Sequence, residues 1–290
     1  MLDKFIDKNL ENKYTINAKV IYNYSKLKVS LFFLPILILS LIVFFLFSQD
    51  ALSINKYIEI QKDYFFYINS KLASFPCLIY NLTQFGDALI CLSFLTIFIM
   101  YAPKIWEALI SALLVSALFS TVLKKIFLVP RPAAVFDTTS FKIVGKTISG
   151  HNSMPSGHSI TIFTILTVLL FAFMPKKGKN KLLWFFLLIT TALIISFTRV
   201  GVGAHYPLDV IIGSIIGYIS GISGIFINKK YQIWSWINNK KSYPFFIALL
   251  MVCSILLVIR IFHENLFVYY VALISLIISL YKFIYVYFKR

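Results

Sequence analysis

Residues 155–173 read PSGHSITIFTILTVLLFAF, a polar turn that opens directly into an uncharged apolar run. A turn entering a helix leaves its first backbone N–H groups without partners, beside the positive end of the helix dipole. Ser156 and Gly157 keep that turn small enough for an anion to touch the backbone, and His158 adds a group that gives or takes a proton. Alone, the tetrapeptide Pro155-Ser156-Gly157-His158 also fits an ordinary capped helix with an incidental histidine. Its weight comes from what the apolar runs around it say about architecture, and from two other polar clusters.

Runs like the one behind His158 fill the chain. Of the 290 residues, 59% are hydrophobic and the mean hydropathy is +0.84. Soluble domains are about 45–50% apolar, so the excess points to an integral membrane protein. Crossing the hydrocarbon layer takes about 20 apolar residues. On that measure about eight spans are expected, at 29–47, 86–101, 105–129, 158–174, 182–198, 207–227, 244–262 and 266–286. The fold class is therefore all-α, a polytopic membrane helix bundle.

The chain divides into a basic leader over 1–28, a membrane core over 29–228 and a C-terminal pair of extra transmembrane helices within 229–290. Residues 48–85 alternate charges with aromatics and suit an amphipathic helix at the interface. The first apolar run is followed by no small-residue cleavage site, so it reads as a retained span.

The formal charge of +17 gathers in short clusters between spans. That pattern fits bilayer orientation and an anionic membrane surface, not nucleic acid. With the N-terminus inside, the leader lysines, the 176–181 cluster, Lys229, Lys230, Lys240, Lys241 and the Lys289-Arg290 end all fall on the inner side. One outer loop breaks the trend: Lys124, Lys125, Arg131, Lys142 and Lys146 face only Asp137 around 130–155. A bound anion is the simplest reason. Cys77, Cys91 and Cys253 show no metal or redox spacing, and no metal site is expected.

Three clusters carry the chemistry. The first closes the third span: Lys124, then Arg131-Pro132, seven residues on. A continuous helix would put both cations on one face, but Pro130 ends the helix, so the loop is left to aim Arg131. The second is the turn at 155–158. The third is Arg199, His205 and Asp209, with Gly201 and Gly203 allowing a tight bend and Pro207 suiting a first helical turn. A carboxylate four residues after His205 can fix the imidazole tautomer and stabilise charge on the ring. Each cluster alone also fits interfacial or salt-bridged residues. Span counting brings all three to the outer face.

Arginine forks and backbone N–H groups match tetrahedral phosphate, and match the transition state of its transfer still better. One imidazole can attack phosphorus while the other protonates the leaving oxygen. Such a site needs no cofactor.

Lys124–Pro132 (KKIFLVPRP), Pro155–His158 (PSGH) and Arg199–Asp209 (RVGVGAHYPLD), in that order, resemble the three signature motifs of the type 2 phosphatidic acid phosphatase superfamily. The resemblance covers about 120–220 and implies an all-helical catalytic core of six helices. It implies His205 as nucleophile, Asp209 as its orienting partner and His158 as the acid on the leaving group. It further implies Lys124, Arg131, Ser156, the Gly157 amide and Arg199 as the phosphate cradle. Thr198 stands where the family usually has serine, and keeps a hydroxyl. His151 and His263 are read as bystanders.

The expected activity is metal-independent removal of phosphate from a membrane lipid phosphate or diphosphate, by way of a phosphohistidine. Lipid A and undecaprenyl diphosphate are favoured as substrates, at the extracytoplasmic face of a bacterial inner membrane. A lipid phosphotransferase would use the same residues. A non-catalytic anion or lipid transporter is the reading from a different class. Oligomeric state is not legible.

Overall fold

The computed structural model describes residues 16–288, so the outermost leader lysines and the Lys289-Arg290 end lie outside it. Residues 16–25 are helical (α1). Then follow α2 (Phe33–Ser48, entered through a 3-10 turn), α3 (Ile54–Glu59), α4 (Lys62–Leu72) and α5 (Pro76–Thr83). Next come α6 (Ala88–Ser93), α7 (Phe98–Tyr101), α8 (Pro103–Phe127) and the short α9 (Pro132–Val135). The chain continues with α10 (Gly157–Ala172), α11 (Gly178–Gly201), α12 (Pro207–Tyr231), α13 (Tyr243–His263) and α14 (Phe267–Phe288).

Six segments among the described residues are long and apolar enough to cross a membrane, against eight expected. They contain α2, α8, α11, α12, α13 and α14. Of the other two expected spans, that at 158–174 is the shorter apolar helix α10. The stretch at 86–101 is broken: α6 and α7 are separated by turns over 94–97. Part of the leader packs against the bundle. Val20 and Tyr24 are buried, Tyr24 donates its hydroxyl to Val168 O, and Asn23 donates to the carbonyls of Ala172 and Met174.

The centre of the bundle is the pair α10 and α12, joined by α8 and α11. Between apolar helices in lipid no hydrophobic force drives association, so close backbone approach and dispersion must do it. The sequence supplies the means: Gly213, Gly217 and Gly221 repeat every four residues along one face of α12. A methyl group on Gly217 would sit 2.5 Å from Ile160 O, and one on Gly221 would sit 2.7 Å from Thr167 Cβ. Thr164 adds a bond across the same seam, donating to Gly217 O at 3.2 Å. Lipid-facing helices read differently, with Phe33, Phe44 and Phe47 of α2 and Phe262 and Phe267 of the last two helices exposed.

The 48–85 stretch is three helices rather than one, and they pack over the end of the bundle where α8 and α11 finish and α10 and α12 begin. Phe65 of α4 is fully buried at 0% exposure in an aromatic cluster with Phe136, Phe141 and Tyr206. Asn69 of α4 acts as a clamp. Its amide donates to Lys142 O, Val200 O and Gly201 O, while its oxygen accepts from Lys142 N. The long loop 136–156 is thereby tied to the end of α11. Lysines 176, 177, 179, 181, 229 and 230 lie at the opposite ends of α10, α11 and α12.

Candidate active site

Helix α8 ends at Phe127, and Leu128 takes a left-handed conformation at φ 47°, so the helix does not carry Arg131. The extended Arg131 instead hangs from the loop, its N–H on Gly150 O at 2.8 Å. Its guanidinium donates from Nε to Asn152 Oδ1 at 2.7 Å and from Nη1 to Ala204 O at 3.2 Å. From there Nη1 lies 3.4 Å from His205 Nε2. Lys124, in the last turn of α8, reaches the start of α10: its Nζ lies 3.4 Å from where a methyl on Gly157 would be.

Arg199 occupies the last turn of α11 and is buried, its Nη1 donating to Thr83 Oγ1 at 3.0 Å while Nε has no partner among the described residues. No carboxylate forms an ion pair with Lys124, Arg131 or Arg199 among the described residues. Three cations left uncompensated in a partly buried place make a strong anion site.

His205 is enclosed, at 1% exposure. Burial, then the charges of Arg131, Arg199 and Lys124, hold its pKa well below the ordinary histidine value, so the ring is neutral. Its Nδ1 faces Asp209 Oδ2 at 3.6 Å and the Ser153 hydroxyl at 3.4 Å. Ser153 donates to the same Oδ2 at 2.6 Å and so bridges ring and carboxylate. Asp209 also accepts from the Tyr57 hydroxyl at 2.8 Å and from Tyr206 N at 3.0 Å. Pro207 opens α12, and Asp209, three residues past Tyr206, closes a capping box there. With Nδ1 turned toward the carboxylate side, Nε2 is the nitrogen that faces the Arg131 guanidinium.

His158 stands in the first turn of α10 against Gly86, where a methyl would lie 2.6 Å from His158 Cβ. It is within electrostatic reach of Arg199, His205, Lys124 and Arg131. With Arg199 and Ala204 it borders a cavity of about 420 Å³. Ser156 serves the turn itself. Its hydroxyl accepts from Ser159 N and Oγ, and its own N–H donates to Asp209 O at 3.0 Å. That leaves the Gly157 amide and the α10 N-terminus facing Lys124. The Thr198 hydroxyl bonds back to Ile195 O in its own helix. Gly203 supplies the bend with φ +79°, whereas Gly201 is needed for contact, since a methyl there would meet Leu72 Cβ at 2.8 Å.

Sequence reasoning did not find Tyr57, Ser153, Asn152 or Thr83. Ser153 and Asn152 lie beside the PSGH turn, so proximity to it was the available signal. Tyr57 and Thr83 sit in the mixed stretch 48–85, where no pattern sets them apart. His151 is exposed at the surface. His263, read as a bystander, borders the cavity.

Residues 105–232 match the PAP2 superfamily. Over 71 residues the chain is 41% identical to the Bacitracin transport permease protein BcrC of Bacillus licheniformis, covering 24% of this chain and 31% of that one. Over 158 residues it is 32% identical to the Lipid A 1-phosphatase of Rhizobium etli, covering 47% of this chain and 64% of the relative. The chain thus spans less than two thirds of the length of each of these curated relatives. The crystal structure of Aquifex aeolicus LpxE superposes with a TM-score of 0.48 at 26% identity, covering 58% of this chain and 95% of that one. The segment similar to the PAP2 superfamily, residues 105–232, brackets all three motifs and the cations and histidines they carry.

Proposed function

We propose that the protein is a membrane lipid phosphatase in which His205 attacks phosphorus and His158 protonates the leaving oxygen. The observation that carries this reading is the approach of Arg131 to His205 Nε2 at 3.4 Å, with Asp209 behind the other ring nitrogen. An arriving phosphate takes the guanidinium from the ring, and the Nε2 lone pair is then free for in-line attack. The P–N bond forms as the P–O bond to the lipid breaks, and His158 supplies the proton that the departing oxygen needs. Asp209 stabilises the charge appearing on the His205 ring. Water then attacks the phosphohistidine with His158 as base, releasing phosphate and restoring both rings. Lys124, Arg131, Arg199 and the α10 N-terminus hold the three equatorial oxygens throughout.

A cradle at the ends of the helices suits a lipid whose phosphate stays in the headgroup layer while its chains stay in the bilayer. The lysine-rich helix ends opposite the cradle favour an extracytoplasmic site in a bacterial inner membrane under the positive-inside tendency. Lipid A and undecaprenyl diphosphate are the favoured substrates, and a relative named as a Lipid A 1-phosphatase supports the first. Transfer of the phosphoryl group to a second lipid in place of water would use the same side chains.

The relative named as a transport permease supports a second reading, an anion or lipid carrier without turnover. Phosphate release from lipid A, undecaprenyl diphosphate and phosphatidic acid by the purified protein in detergent separates the two. The phosphatase reading expects release that His205→Ala abolishes. Binding of those lipids without release favours the carrier.

A further inference from the structure

The helical pair α13–α14 lies beyond the matched segment 105–232, yet it forms one wall of the cavity that begins at His158 and Arg199. Arg260, His263, Glu264 and Tyr269 line it together with Tyr80 and Gln84. The pair is docked against α5 and the start of α6 by Val268 N on Asn81 Oδ1 at 3.0 Å and by Arg260 on Asp87 Oδ2 at 3.0 Å.

The charge on this wall is balanced, unlike that of Arg199, which lines the same cavity and has no carboxylate partner among the described residues. Arg260 is paired with Asp87, and Lys146 with Glu264 at 3.2 Å. Glu264 also accepts from the Tyr269 hydroxyl at 3.0 Å. Burial acts to raise its pKa, but bonds from Lys146, Tyr269 and Tyr80 outweigh that and keep it below the usual carboxylate range. An ionised carboxylate is an acceptor with about four lone-pair positions, so beside Lys146, Tyr269 and Tyr80 one is left for a ligand hydroxyl. It repels a second phosphate and welcomes hydroxyl groups. The neighbouring neutral groups, Tyr80, Tyr269 and Gln84, offer further hydroxyl partners and flat apolar faces. A volume of about 420 Å³ is far more than one phosphate needs and falls in the range of small-molecule sites.

We infer that the α13–α14 pair builds a subsite for a hydroxyl-bearing headgroup, a sugar or a glycerol, attached to the phosphate that the histidines act on, with Glu264 as its central acceptor. This rests on the phosphatase reading above and chooses among its substrates, against a prenyl diphosphate. Binding of the headgroup places the scissile phosphate beside His158 and Arg199, which line the same cavity.

The full chain in detergent is assayed for phosphate release from three lipids: an amino-sugar 1-phosphate lipid, phosphatidylglycerophosphate and a prenyl diphosphate. The wild type is expected to prefer one or both hydroxyl-bearing substrates in kcat/KM. Glu264→Gln is expected to lower that preference about tenfold, mainly through KM. Tyr269→Phe, the gentler change, shifts the same ratio in the same direction and serves if Glu264→Gln does not fold. A shift confined to the sugar lipid assigns a sugar, and one confined to phosphatidylglycerophosphate assigns a glycerol. Equal loss on all three lipids means that Glu264 only braces the hairpin, and overturns the subsite. Turnover of the prenyl diphosphate alone overturns it too, leaving the phosphatase reading intact. No release from any lipid defeats the phosphatase reading first, and the subsite with it.

Discussion

The Tyr57 hydroxyl donates to Asp209 Oδ1 at 2.8 Å, joining residues 152 positions apart inside the protein. Together with Ser153 and Tyr206 N it fixes the carboxylate that stands behind His205. Tyr57→Phe keeps the ring and removes one donor to a charged acceptor. The expected result is a fall in kcat of about tenfold with KM little changed, since such a bond contributes about 1.5–3 kcal/mol. Steady-state kinetics alongside thermal unfolding checks it, and unchanged kcat contradicts the role given to Asp209.

As the proposed acid, His158 should matter most when the leaving oxygen is a poor leaving group. His158→Ala is expected to lose about 10²–10⁴-fold on an alkyl phosphate lipid. On an aryl phosphate, whose phenolate leaves without help, the loss in the first step, read as the initial burst of phenolate, should be much smaller, while hydrolysis of the phosphohistidine stays slow. Equal losses on both substrates would deny His158 the role of acid.

Burial and the three cations hold the His205 pKa below the ordinary value of about 6.5. The neutral, nucleophilic form therefore persists on acidification, and the acid limb of kcat/KM should fall below pH 6.5 when His205 governs it. Arg131→Gln removes a nearby positive charge, which eases protonation of the ring and moves that limb upward. Stability runs the same way. The unfolded chain takes up a proton near pH 6.5 that the folded ring refuses, so this histidine makes the fold less stable as pH falls through that value. A pH–rate series on both proteins tests the direction of the shift.

Close packing of α10 on α12 depends on the absence of a side chain at Gly217, where a methyl would press to 2.5 Å from the Ile160 carbonyl. Gly217→Ala forces backbone apart and is expected to cost about 1–3 kcal/mol. Gly178→Ala is the control, because a methyl there meets nothing within 4 Å. Thermal unfolding in detergent should separate the two. Equal midpoints would mean that the seam is looser than described.

The long helices and the three clusters were legible because their signals are local. Apolar length marks α8, α11 and α12, and the turn residues at Ser156 and Pro207 mark where α10 and α12 begin. Other features depend on partners far along the chain. Tyr57 looks like any interfacial tyrosine until Asp209 is beside it. The break between α6 and α7 is hidden because residues 86–101 are apolar throughout, and hydropathy reports burial rather than helical continuity. Asp87, near the start of that stretch, caps α6 through Leu89 N and holds Arg260. The role of Gly201 was misplaced for a related reason. A glycine next to a turn suggests bending, while its need here comes from Leu72, on another helix.

The central claim is that His205 carries the phosphoryl group. Rapid acid-free quenching of the protein turning over a lipid labelled in its phosphate, followed by peptide mapping, tests it most directly. An acid-labile, base-stable label is expected on the peptide holding His205, absent in His205→Ala and accumulating in His158→Ala on an aryl phosphate. Label on another residue, or undiminished turnover by His205→Ala, would contradict it.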